Sequence, residues 1–262
     1  MEFLLKVEDL RIKFKQGKVE FEAVKGISFA IRPAEIYSLV GETGSGKTVT
    51  ALALGGLLGK NASVEGRVFY DFNGRFINVL EGSNAQKLRG RQINYIFQDP
   101  LSSLDPLMRV GYQIAEGLIW HKKMPKQSAF EYAKQKLREV LIDDVERVFF
   151  SFPHQLSGGQ AQRVMIAQAL ALDSELLIAD EPTSSLDVTV EMEIMRLLKK
   201  LNKQNGLAVL FITHDLTLVE YLGGRAGVLQ EGKIVEEFSA GDIFSCRHKP
   251  YTRRLIDSCI KL

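Results

Sequence analysis

The feature that most constrains the fold of this chain is a glycine-rich run of eight residues that directly follows a short apolar segment. The apolar segment covers residues 36–40, and the run, called the phosphate loop below, reads Gly41-Glu42-Thr43-Gly44-Ser45-Gly46-Lys47-Thr48. An alanine- and leucine-rich segment that can form a helix comes next. Glycines let successive backbone N–H groups converge on one anion, and a helix N-terminus adds the positive end of its dipole. The order strand, loop, helix therefore predicts a nucleotide site, with Lys47 on the β- and γ-phosphates and the Thr48 hydroxyl on Mg²⁺.

A second apolar segment, residues 176–179, ends in two adjacent carboxylates, Asp180 and Glu181. On its own this pattern is equally typical of a strand that runs into an acidic turn. With a phosphate loop upstream, Asp180 is placed to hold Mg²⁺ through water, and Glu181 can polarise the attacking water as a general base. Two carboxylates with separate tasks favour hydrolysis over phosphate transfer to a small acceptor.

Three continuous apolar runs, residues 36–40, 176–179 and 207–213, predict strands of a parallel sheet that is covered on both faces. The first 40 residues predict several short strands, including a strand pair over residues 23–31. Asn73-Gly74 and Glu231-Gly232 each lie between β-type segments and predict tight hairpins. These patterns predict an α/β fold that also contains antiparallel β-structure.

The middle of the chain has helical periodicity instead. Val110, Ile114 and Leu118 recur every four residues, and a second set follows Pro125, made up of Phe130, Ala133, Leu137, Val140 and Leu141. We therefore predict a mostly helical insertion over residues 98–164.

Composition excludes several classes of protein. The 262 residues are 45% hydrophobic and 25% charged, with 34 basic and 32 acidic residues, which is ordinary globular usage without a broad nucleic-acid footprint. Two cysteines, Cys246 and Cys259, cannot build a disulfide scaffold, so a reducing cytosol is the simpler setting. The longest apolar stretch, residues 51–59, is too short to span a bilayer, and the first residues lack a signal-peptide pattern. Another chain is expected to hold this one at any membrane where it works.

A third motif, the signature segment Leu156-Ser157-Gly158-Gly159-Gln160, precedes a helix. Ser157 is a good N-cap residue, so the segment could simply start that helix. Serine and two glycines at a helix start also make a second anion site. Two such sites for one nucleotide suggest a ligand that is shared between two copies.

With these motifs the sequence resembles the ATP-binding subunits of ABC transporters along essentially its whole length. Gln98 resembles the Q-loop glutamine of that family, Ser185-Leu186-Asp187 its D-loop, and His214 its switch histidine. Residues 96–106, residues 152–159 and Pro250-Tyr251-Thr252 resemble the dipeptide, oligopeptide and nickel importer branch. The resemblance implies a P-loop NTPase core with a mostly parallel sheet, an N-terminal antiparallel β subdomain and an inserted helical subdomain. The whole chain would be one cassette, with residues 1–97 and 165–262 as its core and 98–164 as the helical subdomain that carries the signature segment.

The same resemblance implies how the site works. ATP would be held by the phosphate loop of one subunit and by the signature segment and Asp187 of another, including Ser157, Gly158, Gly159 and Gln160. Gln98 would touch Mg²⁺ and the water, while His214 and Lys47 would stabilise charge on the γ-phosphate. The adenine would stack on Phe14, for which Phe21 is a rival.

The partners implied are a second ATPase subunit, in a head-to-tail pair, and transmembrane permease subunits at the cytoplasmic face of the membrane. An extracytoplasmic solute-binding protein would take part indirectly, and the cargo would be peptides or nickel. The chain departs from the branch at Ala161 and at Lys249, which separates His248 from Pro250, and two cysteines predict no iron–sulfur cluster.

Two alternatives remain at this point. One is a non-transport ABC ATPase that tethers DNA or assists translation, although the interval from Lys47 to Leu156 has no sustained heptads. The other is a regulatory module that binds nucleotide without hydrolysing it, against which Glu181 and His214 argue.

Overall fold

The computed structural model describes residues 2–17, 19–184, 186–244 and 247–259, and the chain divides into two compact units. The first unit contains the chain up to Arg89 and again from Asn202, and the second contains Gly90–Leu201. Within the described ranges, no helix has the length and apolar character needed to cross a membrane.

The elements of the first 89 residues are β1 (Leu5–Gln16), β2 (Val19–Ile31), β3 (Ile36–Val40), α1 (Lys47–Leu54), β4 (Ala62–Phe72), β5 (Arg75–Asn78) and α2 (Asn84–Leu88). There follow β6 (Ile93–Ile96), α3 (Pro100–Ser103), α4 (Val110–Lys122), α5 (Lys126–Glu139), α6 (Val145–Phe150), α7 (Gly158–Leu170), β7 (Leu176–Asp180) and α8 (Val188–Asn205). The last elements are β8 (Ala208–Thr213), α9 (Leu216–Leu222), β9 (Arg225–Gln230), β10 (Lys233–Ser239) and α10 (Pro250–Cys259).

In the first unit an antiparallel sheet has the strand order β2-β1-β4-β5. The prediction of several short strands near the N-terminus is wrong, because β1 and β2 are two long paired strands of 12 and 13 residues. The pairing of β1 with β2 shifts register between Val7 and Leu10, around Asp9, which has a φ of +47°, and shifts again after Leu10. A β-bulge of this kind interrupts the alternation of side chains without ending the strand, so the sequence pattern reads as separate runs.

The same unit holds parallel strands next to the phosphate loop. β3 is completely buried and pairs in parallel with β8 on one side and with β9 on the other, and β10 pairs antiparallel with β9. Both predicted hairpins are confirmed: Asn73 and Gly74 join β4 to β5, and Glu231 and Gly232 join β9 to β10, all four with positive φ. β3 therefore enters the phosphate loop from a rigid, buried position.

The second unit combines the parallel pair β6 and β7 with helices α3 to α7. α4 and α5 form as their periodicity predicts, but α5 ends at Glu139. The prediction is wrong for Leu141, which has a φ of +60° and is 58% exposed, because the chain turns there. Gly111 lies against the buried ring of Phe149, where a Cβ atom would come within 2.2 Å of a ring carbon. This close approach explains a glycine inside α4.

Candidate nucleotide site

Glycines shape the phosphate loop for two different reasons. A Cβ atom at Gly41 would lie 2.2 Å from the backbone oxygen of Leu229, and one at Gly46 would lie 2.8 Å from that of Ala23. Gly46 is also the N-cap of α1, with a φ of +109°. Gly44 has a φ of +84° but no atom within 4 Å of the position its Cβ would take. Gly41 and Gly46 therefore let the loop pack against neighbouring backbone, whereas Gly44 leaves one side of the loop open.

Polar groups of the loop fit a phosphate ligand. Lys47 is 5% exposed, and its Nζ donates hydrogen bonds to the backbone oxygens of Gly41 at 2.7 Å and Glu42 at 2.9 Å. The buried Ser45 hydroxyl has no hydrogen-bond partner. An ammonium group and a buried hydroxyl that lacks a partner match the charge and the acceptor oxygens of a phosphate. Thr48, which is exposed, adds a hydroxyl oxygen of the hard type that Mg²⁺ prefers.

Both aromatic candidates for the adenine lie on the antiparallel sheet of the first unit. Phe14 on β1 and Phe21 on β2 are directly paired across the two strands, so they share one face of the sheet. Phe14 is partly buried and Phe21 is 62% exposed. Two positions nearer the start of β1, Ile12 pairs with Val24, whose Cγ2 would lie 3.3 Å from a Cβ at Gly46. The two rivals therefore occupy paired positions on β1 and β2, and the neighbouring Ile12–Val24 pair lies beside the phosphate loop.

His214 follows β8 and has an exposed side chain. The backbone on its C-terminal side is fixed by two hydrogen bonds. The Thr213 hydroxyl accepts from the N–H of Asp215 at 3.0 Å, and the Asp215 carboxylate caps α9 by accepting from the N–H of Thr217 at 2.7 Å. The imidazole is thus carried at the junction between a buried strand and a capped helix.

In the second unit the end of β7 brings two of the predicted site residues together. Asp180 is buried, and Glu181 follows it with a φ of +44°. The Gln98 amide donates a hydrogen bond from Nε2 to Oε2 of Glu181 at 3.2 Å. A left-handed conformation costs a non-glycine residue about 1–2 kcal/mol, so the fold holds Glu181 in a conformation that its own backbone disfavours. Such strain is typical of functional positions.

The signature segment forms a capping box at the start of α7. The hydroxyl of Ser157 accepts from the N–H of Gln160 at 3.2 Å, and the Gln160 amide oxygen accepts from the N–H of Ser157 at 3.3 Å. Ser157 and Gly158 are exposed, whereas a Cβ at Gly159 would lie 3.3 Å from Val190 on α8. Gln160 therefore orders the helix start, and its role toward nucleotide stays a prediction. The spacing Ser-x-x-Gln is the sequence signal that identifies this box.

Two further contacts tie the start of α8 and the signature helix into this unit. The Asp187 carboxylate accepts from the N–H of Val190 at 3.0 Å and so caps α8, while Ser185 lies outside the described residues. The buried Arg163 on α7 is paired with Glu193 on α8 and donates to the backbone oxygen of Val140 at 2.8 Å. Sequence reasoning missed Arg163, because no local pattern marks a buried arginine.

Comparison with known proteins identifies the family. The protein-family model with the description "ABC transporter" matches residues 24–184, which is more than half of the chain. The chain belongs to the ABC transporter family. The predicted resemblance is confirmed, and so is the prediction that the chain is an ABC-type ATPase, which binds and hydrolyses ATP.

Relatives of this ABC transporter chain are similar along nearly all of it. It is 43% identical over 259 residues to the oligopeptide transport ATP-binding protein OppD of Escherichia coli K12, covering 99% of this chain and 76% of that protein. It is 42% identical to the dipeptide transport ATP-binding protein DppD of Lactococcus lactis subsp. cremoris, covering 98% and 74%.

A solved structure confirms the fold class. The dimeric, post-hydrolysis structure of the ATP-binding cassette MJ0796 with ADP and Pi superposes with a TM-score of 0.79 at 31% identity, covering 90% of this chain and 98% of that one. The P-loop NTPase core with its β and helical parts is therefore confirmed.

Of the two cysteines, Cys259 is a partly buried free thiol and Cys246 lies outside the described residues.

Proposed function

We propose that this chain is the ATP-hydrolysing subunit of an ABC transporter that imports peptides. The observation that carries hydrolysis is the strained Glu181 at the end of β7, in hydrogen-bond contact with Gln98. Support for peptides comes from the similarity to OppD and DppD, which extends over at least 98% of the chain. OppD and DppD are named for oligopeptide and dipeptide transport and not for nickel, the other cargo of the branch.

The proposed reaction gives each predicted site residue a separate task. In the first unit, the N–H groups of the phosphate loop and the Lys47 ammonium bind the β- and γ-phosphates. In the second unit, Glu181 accepts a proton from the attacking water, which Gln98 helps to orient. His214 donates to the γ-phosphate oxygen on which negative charge develops. Thr48, Asp180 and Gln98 would supply the oxygen ligands of Mg²⁺, whose charge offsets that of the phosphates.

We infer that the nucleotide is shared between two subunits in a head-to-tail pair. The exposed Ser157 and Gly158 at the start of α7 offer a hydroxyl and N–H groups to the γ-phosphate of a partner. ATP would then join the two subunits, and its hydrolysis would remove the bridging ligand and let them separate. The partner is either a second copy or a related ATPase subunit, and the solved cassette MJ0796 is itself a dimer.

The remaining partners follow from the importer assignment. Transmembrane permease subunits would hold this chain at the cytoplasmic face of the membrane and receive the motion of the pair. An extracytoplasmic solute-binding protein would deliver peptide to the permease without touching this chain. Mass spectrometry of the membrane chains that co-purify with the subunit tests this part: permeases of another solute class would overturn the peptide assignment.

The substitution Glu181→Gln tests the proposed base and the shared nucleotide together. The amide keeps the shape of the side chain but cannot accept the proton, so phosphate release should fall by about 10²- to 10⁴-fold while ATP still binds. With ATP present, size-exclusion chromatography with light scattering should show dimers accumulating. The matched control is Glu220→Gln, an exposed carboxylate on α9, which should behave as wild type.

Two results would contradict the proposal separately. Wild-type turnover in the Glu181→Gln protein would remove Glu181 as the base. A protein that binds ATP, does not hydrolyse it and remains a monomer at every concentration would instead remove the shared nucleotide.

A further inference from the structure

The first turn of α10 is fixed to β10 by one carboxylate. Glu236 accepts hydrogen bonds through Oε2 from the Thr252 hydroxyl at 2.5 Å and from the N–H of Lys249 at 3.0 Å. Its Oε1 lies 3.2 Å from Nδ1 of His248, whose side chain is 3% exposed. Burial alone would raise the pKa of Glu236, but these hydrogen bonds outweigh burial and lower the pKa. The carboxylate therefore stays ionised and holds three residues of this segment in place.

Tyr251 lies between the residues so anchored, and its side chain points to the phosphate loop. The ring is buried in an apolar cluster with Val40, Val228 and Leu255. Its hydroxyl accepts a hydrogen bond from the backbone N–H of Glu42 at 3.3 Å. Burial raises the pKa of the Tyr251 hydroxyl, so the group stays neutral and accepts this bond as a phenol oxygen.

Two further contacts at the phosphate loop come from backbone. Gly232 donates its N–H to the carbonyl oxygen of Ser45 at 3.0 Å, and Gly41 lies directly against the carbonyl oxygen of Leu229. The Tyr251 hydroxyl differs from these two contacts because it belongs to a side chain, on α10, and it binds the N–H of the loop's second residue, Glu42. A substitution at Tyr251 can therefore remove this one contact without changing the backbone.

The same apolar cluster extends to the helix behind His214. Leu216 and Val219 of α9 belong to the cluster that contains the Tyr251 ring. Leu216 is two residues after His214, and Val40 is the residue before the phosphate loop. Tyr251 thus touches the loop through its hydroxyl, and its ring belongs to the apolar cluster that also contains the first turn of α9.

We propose that Tyr251 is a positioning residue for ATP binding: its hydroxyl fixes the Glu42 peptide and so holds the phosphate loop in the conformation that receives the phosphates. The inference rests on the proposed role of that loop as the nucleotide site. A purely structural Tyr251 would contribute stability through its ring alone, and the hydroxyl would then have no effect on nucleotide affinity.

Titration of the full chain with a fluorescent ATP analogue that carries an N-methylanthraniloyl group tests this without relying on turnover. Tyr251→Phe keeps the ring and removes the hydroxyl, and the dissociation constant should rise about 2- to 10-fold, the range for one neutral hydrogen bond. Affinity for inorganic triphosphate should fall by the same factor, whereas affinity for adenosine should not change. At saturating ATP, kcat should remain near wild type, so that the effect appears in KM.

Tyr132→Phe is the matched control, because its hydroxyl also has a hydrogen-bonding neighbour, Asp173, but in the second unit. Equal affinities in Tyr251→Phe and Tyr132→Phe would overturn the inference. If Tyr251→Phe does not fold, Glu236→Gln takes its place, since it weakens the hydrogen bonds that fix the start of α10 and leaves the Tyr251 hydroxyl in the protein. An unchanged affinity for the ATP analogue in Glu236→Gln would also overturn the inference. Failure of wild-type protein to bind triphosphate would instead refute the proposed nucleotide site.

Discussion

Two glycines of the phosphate loop should respond very differently to the same added methyl group. At Gly44 the space is open and φ is +84°, so Gly44→Ala adds backbone strain alone, about 1–2 kcal/mol. At Gly41 φ is +156°, a region used almost only by glycine. Holding an alanine in that conformation costs about 1–3 kcal/mol. The new Cβ would also lie 2.2 Å from the Leu229 carbonyl oxygen, and relieving such a clash adds about 1–3 kcal/mol. Gly41→Ala should therefore cost about 2–6 kcal/mol in all.

Urea unfolding followed by circular dichroism measures this difference. With a slope of about 3 kcal/mol per molar urea, Gly44→Ala should lower the midpoint by about 0.3–0.7 M and Gly41→Ala by about 0.7–2 M. Gly74→Ala is the matched control for Gly44→Ala, because Gly74 is a hairpin glycine with a φ of +81° and equally open space. The two variants should differ in nucleotide affinity. Both alanine variants should lose similar stability, but Gly44→Ala alone should bind ATP at least tenfold more weakly. Equal midpoints for Gly41→Ala and Gly44→Ala would refute the steric reasoning, and normal ATP affinity in Gly44→Ala would refute the open side as the phosphate position.

Three further outcomes are expected. Gly227→Ala should lower the thermal midpoint because its Cβ would lie 2.3 Å from the Tyr37 hydroxyl, and adding Tyr37→Phe should restore part of the loss; a double variant no more stable than the single one would contradict this. Arg163→Met should cost about 1–3 kcal/mol of unfolding free energy and more than Glu193→Gln, since the Arg163 side chain is 10% exposed and that of Glu193 is 38% exposed; equal costs would refute the ranking. The lowered pKa of Glu236 means that its contribution to stability is complete above its ordinary pKa of about 4.5 and is lost as pH falls through the folded-state pKa. The stability difference between wild type and Glu236→Gln should therefore shrink below pH 4.5, and a difference independent of pH would contradict the lowered pKa.

The buried strands could be predicted from sequence because their apolar runs have few alternatives. The structure places β3 at Ile36–Val40, the residues of the predicted strand, and β8 begins one residue later than predicted. Strands β1 and β2 were harder, since the bulge at Asp9 breaks the alternation on which strand prediction depends. Leu141 fits the helical period of α5, but the helix ends before it, and periodicity alone does not mark a helix end.

For the site, sequence predicts what local spacing encodes and misses what the closed fold brings together. The phosphate loop and the carboxylates Asp180 and Glu181 follow from local patterns. The contact between Tyr251 and the N–H of Glu42 joins residues 209 positions apart, so no window of sequence contains it. The left-handed backbone of Glu181 likewise cannot be predicted from the sequence, because the residues around it in the fold impose that conformation.

The cap at the start of α7 has a consequence for how the signature serine meets an anion. Because a lone pair of the Ser157 oxygen is already taken by the N–H of Gln160, the hydroxyl rotor is restricted and its proton is free to point outward. The serine thus presents a donor whose direction is set before any ligand arrives, which reduces the entropy lost on contact. Threonine at position 157 would keep this preset donor, whereas alanine would lose both the donor and the side-chain cap of α7.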